Sequence, residues 1–526
     1  MSADAAPRGN RLFLRKSIEQ VQRESETHRL KRTLGAMNLV LLGIGCIIGA
    51  GIYVMTGNAA ANFAGPAVIL SFVVAFFACI FAGLCYAELA STMPVAGSAY
   101  TYSYTTLGEV FAWVMGWLLV LEYGVAASTV AAGWSGNVVS LLANFGLVIP
   151  PEFTTSFVQA TTGSDGLLTF VTGGHANILG GAGILLVTAL LVVGVSESAS
   201  VNNVIVFIKV GVLLLFIGFG IGFINIHNWT PFIPANEGGF KYGVPGIFRA
   251  ASVIFFAYVG FEAVSTAAAE AKNPKKDIPL GILGSLVVCT GIYMLVAAVL
   301  TGVVPFRQLG VAAPIALAVD QMGIAWFAIL IKVGAVAGLS SVMLILTYGQ
   351  SRVFYAMARD GLLPRFFSTL HEGFRTPWIG TIVLGAIIAI AASLLPIEIL
   401  GDLVSLGTAT AFGIVCVSVI WLRRARPDLE RPFTAPGGIV TPILGIVMAL
   451  VMAVPLITDM IAKAVNGDPI PATILIVYLL VGALIYAGYG YRNSRLGQGL
   501  PQIDDDQGAG PGPEQAIAKG LGDGHG

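Results

Sequence analysis

The 526-residue chain is 56% hydrophobic and only 11% charged, and its 28 basic residues balance 28 acidic ones. Soluble domains carry about 25% charged residues, so an ordinary soluble domain is excluded and a polytopic membrane protein is specified. Zero net charge gives no reason to expect nucleic acid or an acidic partner. Residues 1–33 are basic and polar and lack the apolar stretch of about 7–15 residues that a cleaved leader needs. They are expected to be a cytoplasmic tail, with RLFLRKSIEQVQRESETHRLKR forming a short amphipathic helix on the membrane surface.

A membrane-spanning helix takes about 20 apolar residues. Spans are predicted at 36–57, 66–93, 107–145, 178–196, 201–225, 245–271, 280–303, 324–358, 376–395, 398–423, 438–461 and 469–491. The chain is therefore expected to be an all-α polytopic membrane protein with twelve transmembrane helices, and the Gly-, Pro- and Asp-rich residues 492–526 a disordered cytoplasmic tail. Basic residues orient such a bundle. With both termini inside, only Lys241, Arg249, Arg307 and Lys463 fall outside or at outer ends, and only Lys209 and Lys332 lie within spans. All other Lys and Arg are then cytoplasmic, and the Lys/Arg-free loop from Gly146 to Asn177 is extracellular. The five cysteines, Cys46, Cys79, Cys85, Cys289 and Cys416, sit in apolar segments without metal or redox spacing, and read as small packing residues.

Two spans are interrupted. GIGCIIGAGIYVMTG, Gly43 to Gly57, places Gly43, Gly45, Gly49 and Gly51 near the middle of the first. FFAYVGFEAVSTAAAE, Phe255 to Glu270, places Gly260 mid-span in the sixth, followed by Glu262 and a run of small residues. Glycine lowers the cost of leaving helical geometry. Close helix packing through small residues also accounts for such glycines. In hydrocarbon, however, a broken helix is tolerated only where it lines a cavity or is buried in protein. Gly-interrupted segments at matching places in two halves point to an inverted-repeat transporter. The halves expected are 34–226 (helices 1–5) and 245–425 (helices 6–10), with helices 11–12 at 438–491.

These segments, with GSAYTYSYTTLGE (Gly97 to Glu109), NNVIVFIKVG (Asn202 to Gly211) and FFAYVGFEAVSTAAAEAKNPKKDIP (Phe255 to Pro279), resemble the amino acid–polyamine–organocation superfamily. Within it they are most similar to the cationic amino acid transporter family and its bacterial relatives. The resemblance runs from Leu34 to Arg424. It implies a five-plus-five inverted-repeat core, alternating access, and substrate held between the broken first and sixth helices.

Substrate binding is assigned on this basis to Cys46, Ile47, Gly49, Ala50, Gly51, Ala126, Phe256, Ala257 and Val259. Amides around Gly49, Ala50 and Gly51 would meet the carboxylate at a helix N-terminus. Carbonyls near Cys46, Ile47, Phe256, Ala257 and Val259 would accept from the amino group. Relatives often carry Ser or Thr where this chain has Ala50, so carboxylate binding rests on backbone.

Lys209 lies in an apolar helix, where a lone charge costs about 2.5 kcal/mol or more. It either snorkels to the inner end or is a tethered cation, and the resemblance implies the latter, in the place of a sodium ion. Glu122 sits near mid-depth on the third span and is either a proton carrier or a static brace. Low-dielectric surroundings favour the uncharged form of an ionisable group, and proton coupling is assigned to Lys209 and Glu122. Glu262 is expected on the inner path and Glu88 at the cytoplasmic gate. Glu197 and Glu270 read as solvated helix ends, and Ser340 and Ser341 as hydroxyls near Lys209.

The function expected is proton-coupled amino acid symport in the cell membrane, with no cofactor and no metal. An uncoupled or exchange-type cationic amino acid transporter uses the same breaks, and a non-transporting amino acid sensor is the alternative of another class. No HExxH, G-x-S-x-G or P-loop is present, so an enzyme is not expected. The partners expected are the amino acid, protons and membrane lipids. A small single-span membrane partner is not inferable from the chain.

Overall fold

The computed structural model describes residues 11–18, 34–94, 98–162, 168–194 and 199–500. Most of the predicted surface helix, the tail beyond Leu500, Glu197 and the side chain of Glu270 lie outside the described residues. Helices of nine or more residues are α1 Ala36–Ile47, α2 Val68–Thr92, α3 Ser98–Thr106, α4 Glu109–Leu119, α5 Ala126–Ala143, α6 Ile178–Val193 and α7 Ala199–Gly220. There follow α8 Gly243–Ile254, α9 Pro274–Val303, α10 Ala325–Arg359, α11 Trp378–Leu394, α12 Ile397–Ala425, α13 Val440–Val465 and α14 Ile470–Ile485.

Nine helical stretches among the described residues are long and apolar enough to cross a membrane: Gly51–Thr92, Glu109–Ala143, Val204–Phe223, Gly243–Ser265, Pro274–Val303, Ala325–Arg359, Ile397–Ala425, Val440–Val465 and Ile470–Asn493. Three shorter apolar helices, α1, α6 and α11, accompany them. The first stretch is interrupted at Gly65, whose φ of +62° is a conformation that favours glycine.

Small residues set the packing, as expected where lipid supplies no hydrophobic drive between helices. α1 lies on α9, with Gly43 against Ser285 and Gly281 against Leu39; a Cβ on Gly43 would come within 2.5 Å of the Ser285 hydroxyl oxygen. α5 packs on α10, α6 on α11, and α12 on α13. The described sheet is one antiparallel hairpin, β1 Val158–Thr162 with β2 Leu168–Thr172, registered Val158 to Thr172. Its Phe170 N–H donates to Asp468, just before α14, at 2.7 Å.

Candidate substrate site between two broken helices

Both glycine-interrupted segments leave helical geometry. α1 ends at Ile47, and Ile48 turns extended at φ −72°, ψ 98°. The Ile48 N–H still reaches the Ile44 carbonyl at 3.0 Å, and the ladder resumes with the Tyr53 N–H on the Gly49 carbonyl at 3.3 Å. The π-helical turn Gly51–Met55 thus begins with its first amides outside the ladder. In the second segment, α8 tightens into the 3-10 turn Phe255–Tyr258, Val259 extends, and Gly260 takes φ +118° before helix resumes at Ala263–Thr266.

Each break is seated on the other. A Cβ on Gly51 would lie 2.2 Å from the Ala257 Cα, and one on Gly260 would lie 2.8 Å from the Cys46 carbonyl oxygen. The Tyr293 hydroxyl, from α9, stands 2.8 Å from the Ile47 carbonyl oxygen and 3.1 Å from that of Ala257. One O–H thereby serves the freed carbonyls of both breaks.

A small cavity, with room for about one water molecule, lies at the junction. Seven of the nine residues expected to bind substrate line it: Cys46, Ile47, Gly49, Ala50, Gly51, Phe256 and Val259. Ala126 and Ala257 are buried but are not among the lining residues. Val130, Val342 and Leu346 complete the wall, so no charged side chain lines it.

Lys209 is buried, and its Nζ donates to the Gly45 carbonyl at 2.9 Å. That places a cation at the C-terminal end of α1, where the helix dipole is negative. Its aliphatic stem packs along Gly338 of α10. Glu122 lies on the π-helical turn Val120–Val125, and neither of its buried carboxyl oxygens receives a hydrogen bond. It lies close enough to Glu262 for the two carboxyls to influence each other. The Glu262 Oε2 accepts from the Gly260 N–H at 2.9 Å, while its Oε1 has no donor.

A family model for amino acid permeases matches residues 34–481. The chain belongs to the amino acid permease family. The branched-chain amino acid permease BcaP of Bacillus subtilis is 43% identical over 491 residues, covering 93% of this chain and 99% of its own. A methylthioribose transporter of the same organism is 42% identical over 487 residues, covering 92% and 99%. A vacuolar cationic amino acid transporter 4 of Arabidopsis thaliana is 38% identical over 421 residues, covering 80% and 68%. The permease is thus a multi-pass membrane protein of amino acid transport, and its relatives are named as carriers rather than enzymes.

The remaining predicted residues of the permease are placed as follows. Glu88, at the end of α2, accepts from Arg423 Nε at 2.8 Å, again from Arg423 Nη2, and from the Ala435 N–H at 2.8 Å. It therefore ties α2 to the end of α12. The Ser340 hydroxyl accepts from the Trp134 indole at 2.9 Å and donates to the Val336 carbonyl at 2.8 Å. Lys332 donates to Asp320 at 2.7 and 2.8 Å and to Asn144 at 2.5 Å, bracing the short helix Pro314–Gln321 against α5 and α10.

Sequence reasoning missed Tyr293, Val130, Val342 and Leu346. Tyr293 carried a signal: it is a lone phenol in the aliphatic run GIYMLVAAV. The three aliphatic residues carried none, because a cavity wall and a lipid face have the same composition.

Proposed function

We propose that this permease is a proton-coupled symporter of neutral, aliphatic amino acids in the cell membrane, working by alternating access. The carrying observation is the reciprocal seating of the two breaks around an apolar cavity. The first amides of the Gly51–Met55 turn would hold the carboxylate, with the partial positive charge of a helix N-terminus behind them. Carbonyls of the second break would take the amino group. Val130, Val342 and Leu346 would meet the side chain. A cationic side chain would find no counter-charge in this wall, whereas a branched aliphatic one would find only apolar contacts. A relative named for branched-chain amino acids accords with that choice.

Twelve spans follow if α1 and Gly51–Ala64 count as one broken span and the chain turns at Gly65–Pro66. Helices 1–5 and 6–10 would then form inverted repeats, with α13 and α14 added and both termini cytoplasmic. Lys209, on the α1 carbonyl end, would be the fixed cation that makes sodium unnecessary. Glu122 and Glu262 would hold a proton between them, since two facing carboxyls can bond only if one carries a hydrogen. The test is uptake by purified protein in liposomes, with and without an inward proton gradient. Gradient-driven accumulation of leucine, isoleucine or valine is expected, without accumulation of arginine. Arginine accumulation would overturn the substrate class, and indifference to the gradient would overturn the coupling.

A further inference from the structure

Of the two lysines within spans, the proposed coupling uses only Lys209. An ionisable group inside a membrane helix is a functional candidate. Lys332 lies two turns into α10, with its side chain 1% exposed. Its Nζ donates to Asp320 at 2.7 and 2.8 Å, to the Asn144 side chain at 2.5 Å and to the Ser140 carbonyl at 3.2 Å. Asp320, by contrast, is 41% exposed, so water can take up its carboxylate when the pair parts.

Asp320 belongs to the short helix Pro314–Gln321, and that helix is seated on the first break. It touches the turn Gly51–Met55, whose Gly51 lines the cavity, and Thr56–Ala59 beyond it. The approach is closest at Gly57. A Cβ there would lie 2.4 Å from the Pro314 Cβ and 2.7 Å from the Leu309 carbonyl oxygen. A Cβ on Gly136 of α5 would lie 2.7 Å from the Ala312 Cβ, and one on Gly310 would lie 3.4 Å from the Ala61 Cβ. Leu309, Ile315, Ala318 and Val319 are buried. Among the described residues no hydrogen bond joins 309–321 to 51–64. The seat on the half-helix is therefore steric, and the charged fastening stands at Lys332.

We propose that residues 309–321 form a lid on the half-helix 51–64, latched shut by Lys332 through Asp320, and that this lid must lift before the first break can part from the second at this end of the path. The proposal rests on the alternating-access reading. One continuous helical run joins Gly51, seated on Ala257, to Gly57, seated under Pro314. With backbone this close at Gly57, the run tilts only if the lid gives. Lys332 touches no substrate and acts through Asp320, so it is a positioning residue.

Two measurements on the full chain test the lid. Gly310→Cys with Ala61→Cys places two Cβ atoms 3.4 Å apart, close to the disulfide range of about 3.5–4.5 Å. Air oxidation with copper phenanthroline in liposomes should bridge them and stop leucine uptake, and reduction should restore it. Failure of the pair to bridge, or full-rate uptake once bridged, would overturn the proposal. Separately, Lys332→Met should speed methanethiosulfonate modification of Cys46, in the cavity wall, by about tenfold, the scale of one lost charge-assisted hydrogen bond. Cys79, buried on α2 and outside the cavity wall, is the internal control and should keep its rate. An unchanged Cys46 rate would overturn the lid, and so would an equal rise at both cysteines, which marks general loosening. Absence of uptake even in the wild type would count against transport, and the Cys46 rate would still decide the lid.

Discussion

A single methyl group is enough to probe the first break. Any Cβ at Gly51 would meet the Ala257 Cα at 2.2 Å, so the two breaks must separate to admit it. Gly51→Val is expected to insert and fold but to weaken leucine binding by about tenfold or more, read as loss of ligand-induced thermal shift. Gly211→Ala, where nothing lies within 4 Å, is the matched control and should bind normally. Normal binding by Gly51→Val would move the site elsewhere. Lys209 makes a different prediction. Its Nζ on the Gly45 carbonyl places charge at the end of α1, and Lys209→Ala removes it. Proton-driven accumulation should be lost while substrate binding and counterflow exchange survive, because exchange needs no net proton movement. Glu122→Gln should flatten the pH dependence of uptake in the same assay. Gradient-driven uptake unchanged in both variants would leave the two groups as structural braces.

Helices are held here by charges that the sequence reading left at the periphery. Arg249 of α8 is fully buried and grips Asp402 of α12 at 3.0 and 2.6 Å and Asp459 of α13 at 3.1 and 2.9 Å. Lys463 adds a second cation to Asp459 at 3.1 Å. Removing the arginine strands Asp402 and leaves Asp459 to Lys463, at a cost of about 3–5 kcal/mol for a broken buried pair. Arg249→Met should therefore lower the unfolding temperature sharply, as read by fluorescence-detected size exclusion. Asp459→Asn should cost less, because Arg249 keeps Asp402. The breaks themselves were legible because glycine spacing is a local property, and a helix interrupted in hydrocarbon has few uses. The Arg249 network was not, because its two carboxylate partners stand 153 and 210 residues from the arginine in the chain. Glu122 and Glu262 were each legible as candidate acids, but their proximity was not, since only folding brings the two spans together.

At the scale of the whole molecule, the charge distribution and the packed ends carry the same message. Residues 11–18 and 491–500 meet at Asp360, so the two ends of the described chain share one face. The hairpin sits elsewhere, with Phe170 on Asp468 at the start of α14 and Lys463 5.1 Å from its ring. An even number of spans would put both ends on one face, because each span must cross the same thickness of hydrocarbon. Which face is cytoplasmic is a separate matter, and Lys and Arg decide it. On the twelve-span reading only Lys241, Arg249, Arg307 and Lys463 would fall at the hairpin face, and the 146–177 loop has no Lys or Arg. That reading leaves nearly all the rest to the terminal face, so it should be cytoplasmic and the hairpin extracellular. Ser164, between β1 and β2 in the chain and outside the described residues, gives a direct test. Ser164→Cys should react with an impermeant maleimide added to intact cells, whereas a cysteine placed at Ser17 should react only after lysis. The reverse pattern would invert the bundle.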